Sequence, residues 1–242
     1  MAYQMIHMEV AYRLLNRLPQ IENAAEFILG SVAPDSVHMD PDFVIDRKVK
    51  SHMFEGCGKW SDTQDYRRWK SNIGDTFGKI LTERERTDYR DFGIGLCVHC
   101  LTDYLNDIKN WRRLQSEHIP PMELEEFKEA YYVEARGIDL WLYQNSKNTA
   151  AIRVLLANAK AFDAEGLLRI ENIEKQRDHL LNVQYDVETV NVSDYRFLPA
   201  SAIEEFIDSV VNEIAETIEL WQTEYSGEGS FCERIEGCRS LL

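Results

Sequence analysis

Glycine and proline are scarce in this chain of 242 residues, at 12 and 6, which leaves too few turn positions for the closely spaced hairpins of a β-sandwich or barrel. Cysteine is scarce too. The five, Cys57, Cys97, Cys100, Cys232 and Cys238, make no even framework and no zinc-ribbon spacing, so the fold should hold without disulfides in a reducing compartment. No apolar run approaches the roughly 20 residues of a membrane span. The N-terminal stretch Met1-Ala-Tyr-Gln-Met-Ile-His7 lacks the basic start and unbroken apolar core of a signal peptide. These absences predict a cytoplasmic protein with no integral membrane association. Positive charge is the other deficit, with 27 Lys and Arg against 42 Asp and Glu and a net charge of −15. A field of that sign repels a nucleic-acid backbone or an anionic membrane surface. Clusters as small as Arg67-Arg68 and Arg112-Arg113 do not reverse it.

What is present, 44% apolar and 29% charged residues, is the profile of a helix-rich globular domain. Apolar residues at helical spacing predict an all-α, multi-helix bundle. Residues 4–18 carry Met5, Ile6, Val10, Leu14 and Leu18 on one side and end at Pro19, and 22–29 form a short helix stopped by Gly30. One or two helices fall in 62–85, followed by others in 91–111, in 122–144 after the Pro120-Pro121 break, in 148–156 and in about 164–181. The closing helix, 201–221, is led by the capping sequence Ser201-Ala-Ile-Glu204. Residues 36–50 read as an exposed polar connection with His38, Asp40, Asp42 and Asp46 at the surface, and 187–192 as briefly extended. One domain over 1–225 and a flexible tail over 226–242 complete the plan.

Within the helix of 91–111 lies the run Gly93-Ile-Gly-Leu-Cys-Val-His99-Cys-Leu-Thr-Asp103. Positions i and i+4 share a helix face, so an imidazole and a carboxylate point the same way out of an apolar run. Either they satisfy one another as a core pair, or a divalent metal ion offsets their desolvation. Cys97 and Cys100 in the same run behave as small apolar residues, and Gly93 and Gly95 allow another backbone to come close. Three more candidates have similar settings. His7 falls on the apolar side of the first helix with Ala11 and Leu14. Asp35 follows Pro34, which restrains the loop that carries it. His52 precedes Met53, Phe54 and the Gly56-Cys57-Gly58 turn. Glu134 and Asp139 are further inward-facing acids, whereas His118 and His179 fall among polar residues and are assigned to solvent or to ordinary contacts. Three imidazoles and two carboxylates suit zinc or another borderline divalent ion, and a helical bundle can bring them together from separate elements.

The order of the helical His7, the loop Leu29-Gly-Ser-Val-Ala-Pro34-Asp35, the step Lys50-Ser51-His52 and the run Gly95-Leu-Cys-Val-His99-Cys-Leu-Thr-Asp103 resembles the zinc-dependent phospholipase C family, whose fold is related to that of P1-type nucleases. The likeness covers about the first 110 residues. It implies an all-α bundle with a zinc site between helices, one ion enclosed by Asp35, His52, His99 and Asp103, and a second shared by His7 and Asp103. The chain departs from the family in lacking the N-terminal Trp ligand of the secreted enzymes. It also lacks their later His-x-x-x-Glu pair, since neither His118 nor His179 has an acid at i+4, which leaves Glu134, Asp139 or water to complete a second site. The implied activity is phospholipase C-like hydrolysis of a small-molecule or lipid phosphoester by a metal-activated water, with Asp35 as the water-orienting or general-base residue if it is not fully committed as a ligand. The competing expectation is a non-catalytic metal-binding helical protein with a structural or sensing role. A phosphohydrolase of the HD type is disfavoured, because the adjacent His-Asp pair that defines it is missing.

Overall fold

The computed structural model describes residues 3–83, 86–164 and 168–226. Among these the chain forms ten α-helices and one small antiparallel hairpin, an all-α bundle as the periodicity predicts. In order they are α1 (Gln4–Leu14), α2 (Ala24–Gly30), a 3-10 segment (Ala33–Met39), α3 (Ile45–Ser51) and the hairpin Gly58–Lys59 with Asp62–Thr63. Then come α4 (Tyr66–Leu81), α5 (Thr87–Asn106), a π-helical turn (Asp107–Arg112), α6 (Arg113–His118), α7 (Leu124–Asn145), α8 (Thr149–Asn158), α9 (Ile170–Asn182) and α10 (Ala200–Ser226). No helix of the described residues is long and apolar enough to cross a membrane.

α5 is the axis of the bundle. From Asp91 to Asp103 every residue is buried, which is what a helix apolar on all sides requires, and α1, α2, α4 and α10 pack around it. The closest approach is with α2. A Cβ on Gly30 would run into the carbonyl of Phe92, and one on Gly95 into the carbonyl of Phe27, so the two glycines let the backbones cross almost in contact. At Gly93 a Cβ would meet the side chain of Ile80 on α4 at 3.0 Å.

Several helix starts are closed by carboxylates from elsewhere in the chain. α1 has no cap of its own, and Asp139 of α7 accepts from Met5 N at 2.7 Å. α2 likewise lacks a cap from Asn23, and Asp91 of α5 accepts from the backbones of Glu22 and Asn23 at 2.9 and 2.7 Å. Glu134 takes the amides of Arg196, Phe197 and Leu198 just before α10. First-turn amides have no partner within a helix, so these acids serve the fold.

The structure differs from the expected plan in four places. Asp35 lies in the 3-10 segment, with Pro34 inside its first turn, rather than in a loop. The connection over 36–50 contains α3, and Asp40 is buried because Arg47 and Arg169 pair with it and Asp42 N donates to it. Ser201 sits inside the first turn of α10 rather than at its cap, since the helix begins at Ala200. Residues 187–192 form no regular element. Of the expected tail, residue 226 ends α10, and 227–242 with Cys232 and Cys238 lie outside the described residues.

Candidate metal centre

Four elements deliver the five predicted side chains to one place. α1 brings His7, the 3-10 segment Asp35, the end of α3 His52, and α5 both His99 and Asp103, and all five are buried. His52 is fixed by the way α3 stops. Phe54 N donates to Val49 O at 2.8 Å and Met53 N to Lys50 O at 2.9 Å, the paired bonds of a Schellman cap. Met53 holds the left-handed position with φ 56°, where glycine is the usual choice and another residue costs about 1–2 kcal/mol. Burial of Met53 and Phe54 against the core offsets that strain. Trp69 Nε1 adds a bond of 2.9 Å to the carbonyl of His52.

The donor atoms converge. His52 Nε2 and His99 Nε2 stand 3.2 Å apart. Asp35 Oδ1 is 3.3 Å from His52 Nε2, and Asp103 Oδ2 is 3.6 Å from His52 Nε2 and 3.8 Å from His99 Nε2. A tetrahedron of metal bonds about 2.0–2.1 Å long has edges of roughly 3.3 Å, so each of these separations is near that of two donors on one ion. The outer ring nitrogens bear on the tautomers. His99 Nδ1 faces the Ser31 carbonyl at 2.8 Å and His52 Nδ1 the Lys48 carbonyl at 3.0 Å. A carbonyl only accepts, so Nδ1 of His99 carries the proton and its Nε2 turns a lone pair toward His52. Nδ1 of His52 also lies 2.9 Å from the Ser51 hydroxyl, which can donate to it, so the surroundings of His52 accommodate either tautomer. With Nε2 of both rings unprotonated, as ligation requires, a cation between them would offset the repulsion of their lone pairs.

Asp103 looks two ways. Its Oδ2 faces His52 and His99, and its Oδ1 lies 3.5 Å from His7 Nε2. The ring of His7 stacks on that of His99 with centroids 3.8 Å apart. Its buried Nδ1 has no hydrogen-bond partner and its Nε2 has only the long contact with Asp103, and an imidazole left so poorly satisfied is costly. An ion bound by His7 and bridged by Asp103 would satisfy it. His7, His99 and Asp103, and separately Asp35, His52 and His99, are each close enough to hold an ion.

The electrostatics suit ligation. Burial pulls the imidazole of His99 well below its ordinary value, helped by His7, and burial together with Lys48 lowers that of His52, so both are neutral at neutral pH. Burial pushes the carboxyl of Asp35 up, but Lys48 and His52 outweigh it and hold it well below the usual carboxylate range. Burial likewise raises Asp103, and His7 beside it more than reverses the effect. The Cys100 thiol goes far up through burial and the nearby Cys97, and Cys97 through burial alone. They remain protonated apolar residues, as expected of small side chains in α5.

The remaining candidates lie elsewhere. Glu134 and Asp139 hold backbone amides. His118 sits against Phe197 and Arg196, and His179 lies on the last turn of α9 and belongs to neither cluster. Three neighbours of the site were not among the sequence candidates. Lys48 is buried, with Nζ 2.8 Å from Asp35 Oδ1 and 3.0 Å from His38 Nε2, and Gln4 donates to Asp35 Oδ2 at 2.7 Å. His38 is exposed, as expected, yet it borders the site through Lys48. Lys48 stands four residues before His52, and that i, i+4 spacing is the signal that could have found it. Beyond Asp35 opens a cleft of ≈ 440 Å³ between α1, α3 and α7, lined by Tyr3, Gln4, His38, Lys48, Tyr132 and Arg136. On the far side, Asp103 and Asp107 border a cavity of ≈ 20 Å³, room for about one water.

The chain matches no family model, no curated protein and no solved structure. Fold and site together define an all-α bundle with buried His and Asp clusters able to hold a metal ion.

Proposed function

We propose that the chain is a zinc-dependent hydrolase of phosphoesters, acting on a small-molecule or lipid substrate in the manner of the phospholipase C family. The observation that carries the reading is the convergence of the Nε2 atoms of His52 and His99, 3.2 Å apart, with carboxylate oxygens of Asp35 and Asp103 beside them. The order of the ligand motifs along the chain supports the choice of family. These four residues would hold one ion, and His7 with Asp103 would contribute to a second.

When bound, a divalent ion supplies Lewis acidity, acidifying a water for attack on phosphorus and offsetting charge on the phosphoryl oxygens. The chain supplies the rest. The Ser31 carbonyl fixes His99 in the ligating tautomer, and the Lys48 carbonyl is placed to accept from His52 Nδ1 when its Nε2 ligates. Asp35 borders the cleft with both oxygens engaged by Lys48 and Gln4. A carboxylate held so far toward its charged form takes a proton poorly, so, when the ion is held by the other three and keeps a position for water, its part is to orient that water rather than to accept the proton outright. Phe54, Trp60, Trp69 and Trp111 line the small cavity on the Asp103 side.

One observation favours a second reading, a metal-binding protein without catalysis: all five donors are buried, and Asp35 is already bonded at both oxygens. Metal content followed by assay of a chromogenic phosphodiester and a panel of phosphocholine esters separates the two. His99→Ala and Asp103→Ala should lower both zinc stoichiometry and turnover, the latter by more than the roughly hundredfold lost with an outer-shell partner. Stoichiometric zinc with no turnover of any ester would favour the structural or sensing role.

A further inference from the structure

Two cations, Lys48 and Arg136, line the cleft that reaches Asp35 in an otherwise acidic molecule. Lys48 is buried at its inner end, held by Asp35 and His38 and with Nζ 5.2 Å from the centroid of the Trp60 ring. Its conformational freedom is already lost, so meeting a ligand costs little further entropy. Arg136 is exposed along the same cleft beside the phenol of Tyr3 and makes no ion pair among the described residues. The acid that also lines the cleft, Asp139, is turned to Met5 N and the Tyr185 hydroxyl.

Charge balance decides what enters, and this step rests on the metal reading of the site. In the metal-free protein Asp35 balances Lys48. Once Asp35 and Asp103 cancel a divalent ion through neutral imidazoles, the ammonium of Lys48 is left buried and uncompensated, which is costly. An anionic group arriving through the cleft removes that cost. We propose that Lys48 and Arg136 are the ligand-recognising residues of this site and that they select a tetrahedral phosphoryl group. A phosphoryl group offers three oxygens for attractors in different directions, namely the ion, Lys48 within and Arg136 along the wall. A carboxylate has two, and a quaternary amine is repelled.

The test is calorimetric titration of the zinc-loaded protein with inorganic phosphate, acetate and choline, with zinc content measured for every variant. Phosphate should bind, acetate at least about tenfold more weakly, and choline not at all. Lys48→Met, which keeps the length of the side chain, should weaken phosphate about tenfold or more at unchanged zinc stoichiometry, as expected for loss of a charge-assisted bond. Arg136→Gln, at an exposed position that folding does not depend on, should weaken it severalfold and serves alone if Lys48→Met fails to fold. Phosphate affinity kept within about twofold in the zinc-loaded variants overturns the assignment, as does zinc-loaded wild type that ignores phosphate. Wild type that takes up no zinc overturns the metal reading itself and this proposal with it.

Discussion

Asp103 and Asp139 are both buried carboxylates, and their neighbours drive them in opposite directions. Burial raises both, but His7 beside Asp103 takes it well below the usual range, while Asp139, whose partners are Met5 N and Tyr185, stays raised at about 6 against an ordinary 3.8. A raised acid binds its proton more tightly in the folded state. The stability Asp139 contributes is therefore fully present below pH 3.8 and is lost as pH rises through about 6, a change of about 3 kcal/mol. His52 and His99 act the other way, because lowered imidazoles give up stability as pH falls below their ordinary value of 6.5. The two effects overlap in wild type, and a substitution separates them. Asp139→Asn keeps an acceptor for Met5 N and removes the titration, so the melting temperature of the variant minus that of wild type should climb between pH 4 and 7. At about 2–4 °C per kcal/mol for a chain of this size, the climb should reach several degrees. A constant difference across that range would show that Asp139 does not titrate there.

Among the elements, the crossing of α2 and α5 is where sequence, packing and site meet. Gly30 and Gly95 face each other, and the Ser31 carbonyl one residue beyond Gly30 orients His99 one turn beyond Gly95. Gly95→Ala gains up to about 1 kcal/mol of helix propensity but drives a methyl into a backbone carbonyl that cannot step aside, and overpacking of that kind costs about 1–3 kcal/mol or more. Gly95→Ala and Gly30→Ala should each lower the melting temperature by several degrees in thermal unfolding. They should also weaken zinc binding, because separating the helices stretches the Ser31–His99 bond. Unchanged zinc affinity in a folded Gly95→Ala protein would break this link between crossing and site. The small residues of α5 were legible in the sequence, as were the long helices and the i, i+4 pair His99 and Asp103, since all express a period of 3.6. The segment from Ala33 to Ser51 was not. Its 3-10 turn and seven-residue α3 are too short to show a period, the left-handed residue after His52 is Met53 instead of a glycine, and Asp40 owes its burial to Arg169, far along the chain. For the same reason Asp139 and Glu134 read as spare ligands. An inward acid that meets an imidazole and one that meets a distant backbone amide look alike until the helices are placed.

At the scale of the whole molecule, the cluster ties the beginning of the chain to its centre. His7, Asp35, His52 and His99 with Asp103 come from four elements spread over about the first hundred residues, and only α5 contributes two. An ion that binds the folded arrangement and not the unfolded chain stabilises by mass action, about 2.7 kcal/mol at a hundred times its dissociation constant. For a chain of this length that is a rise of roughly 5–11 °C in melting temperature. Zinc added to the chelator-treated protein should give such a rise, and magnesium should give little, because imidazole nitrogens suit borderline ions and magnesium prefers oxygen and its own waters. His99→Ala should abolish the rise, whereas His118→Ala, at a histidine of neither cluster, should keep it. The dependence on acid follows from the shifts at the site. Protons compete with the ion for the two Nε2 atoms, and since both imidazoles are lowered, the zinc-induced rise should persist somewhat below pH 6.5 before it fades. A rise of the same size with zinc in wild type and in His99→Ala would place the stabilising ion elsewhere and remove the support this cluster gives to a hydrolytic centre.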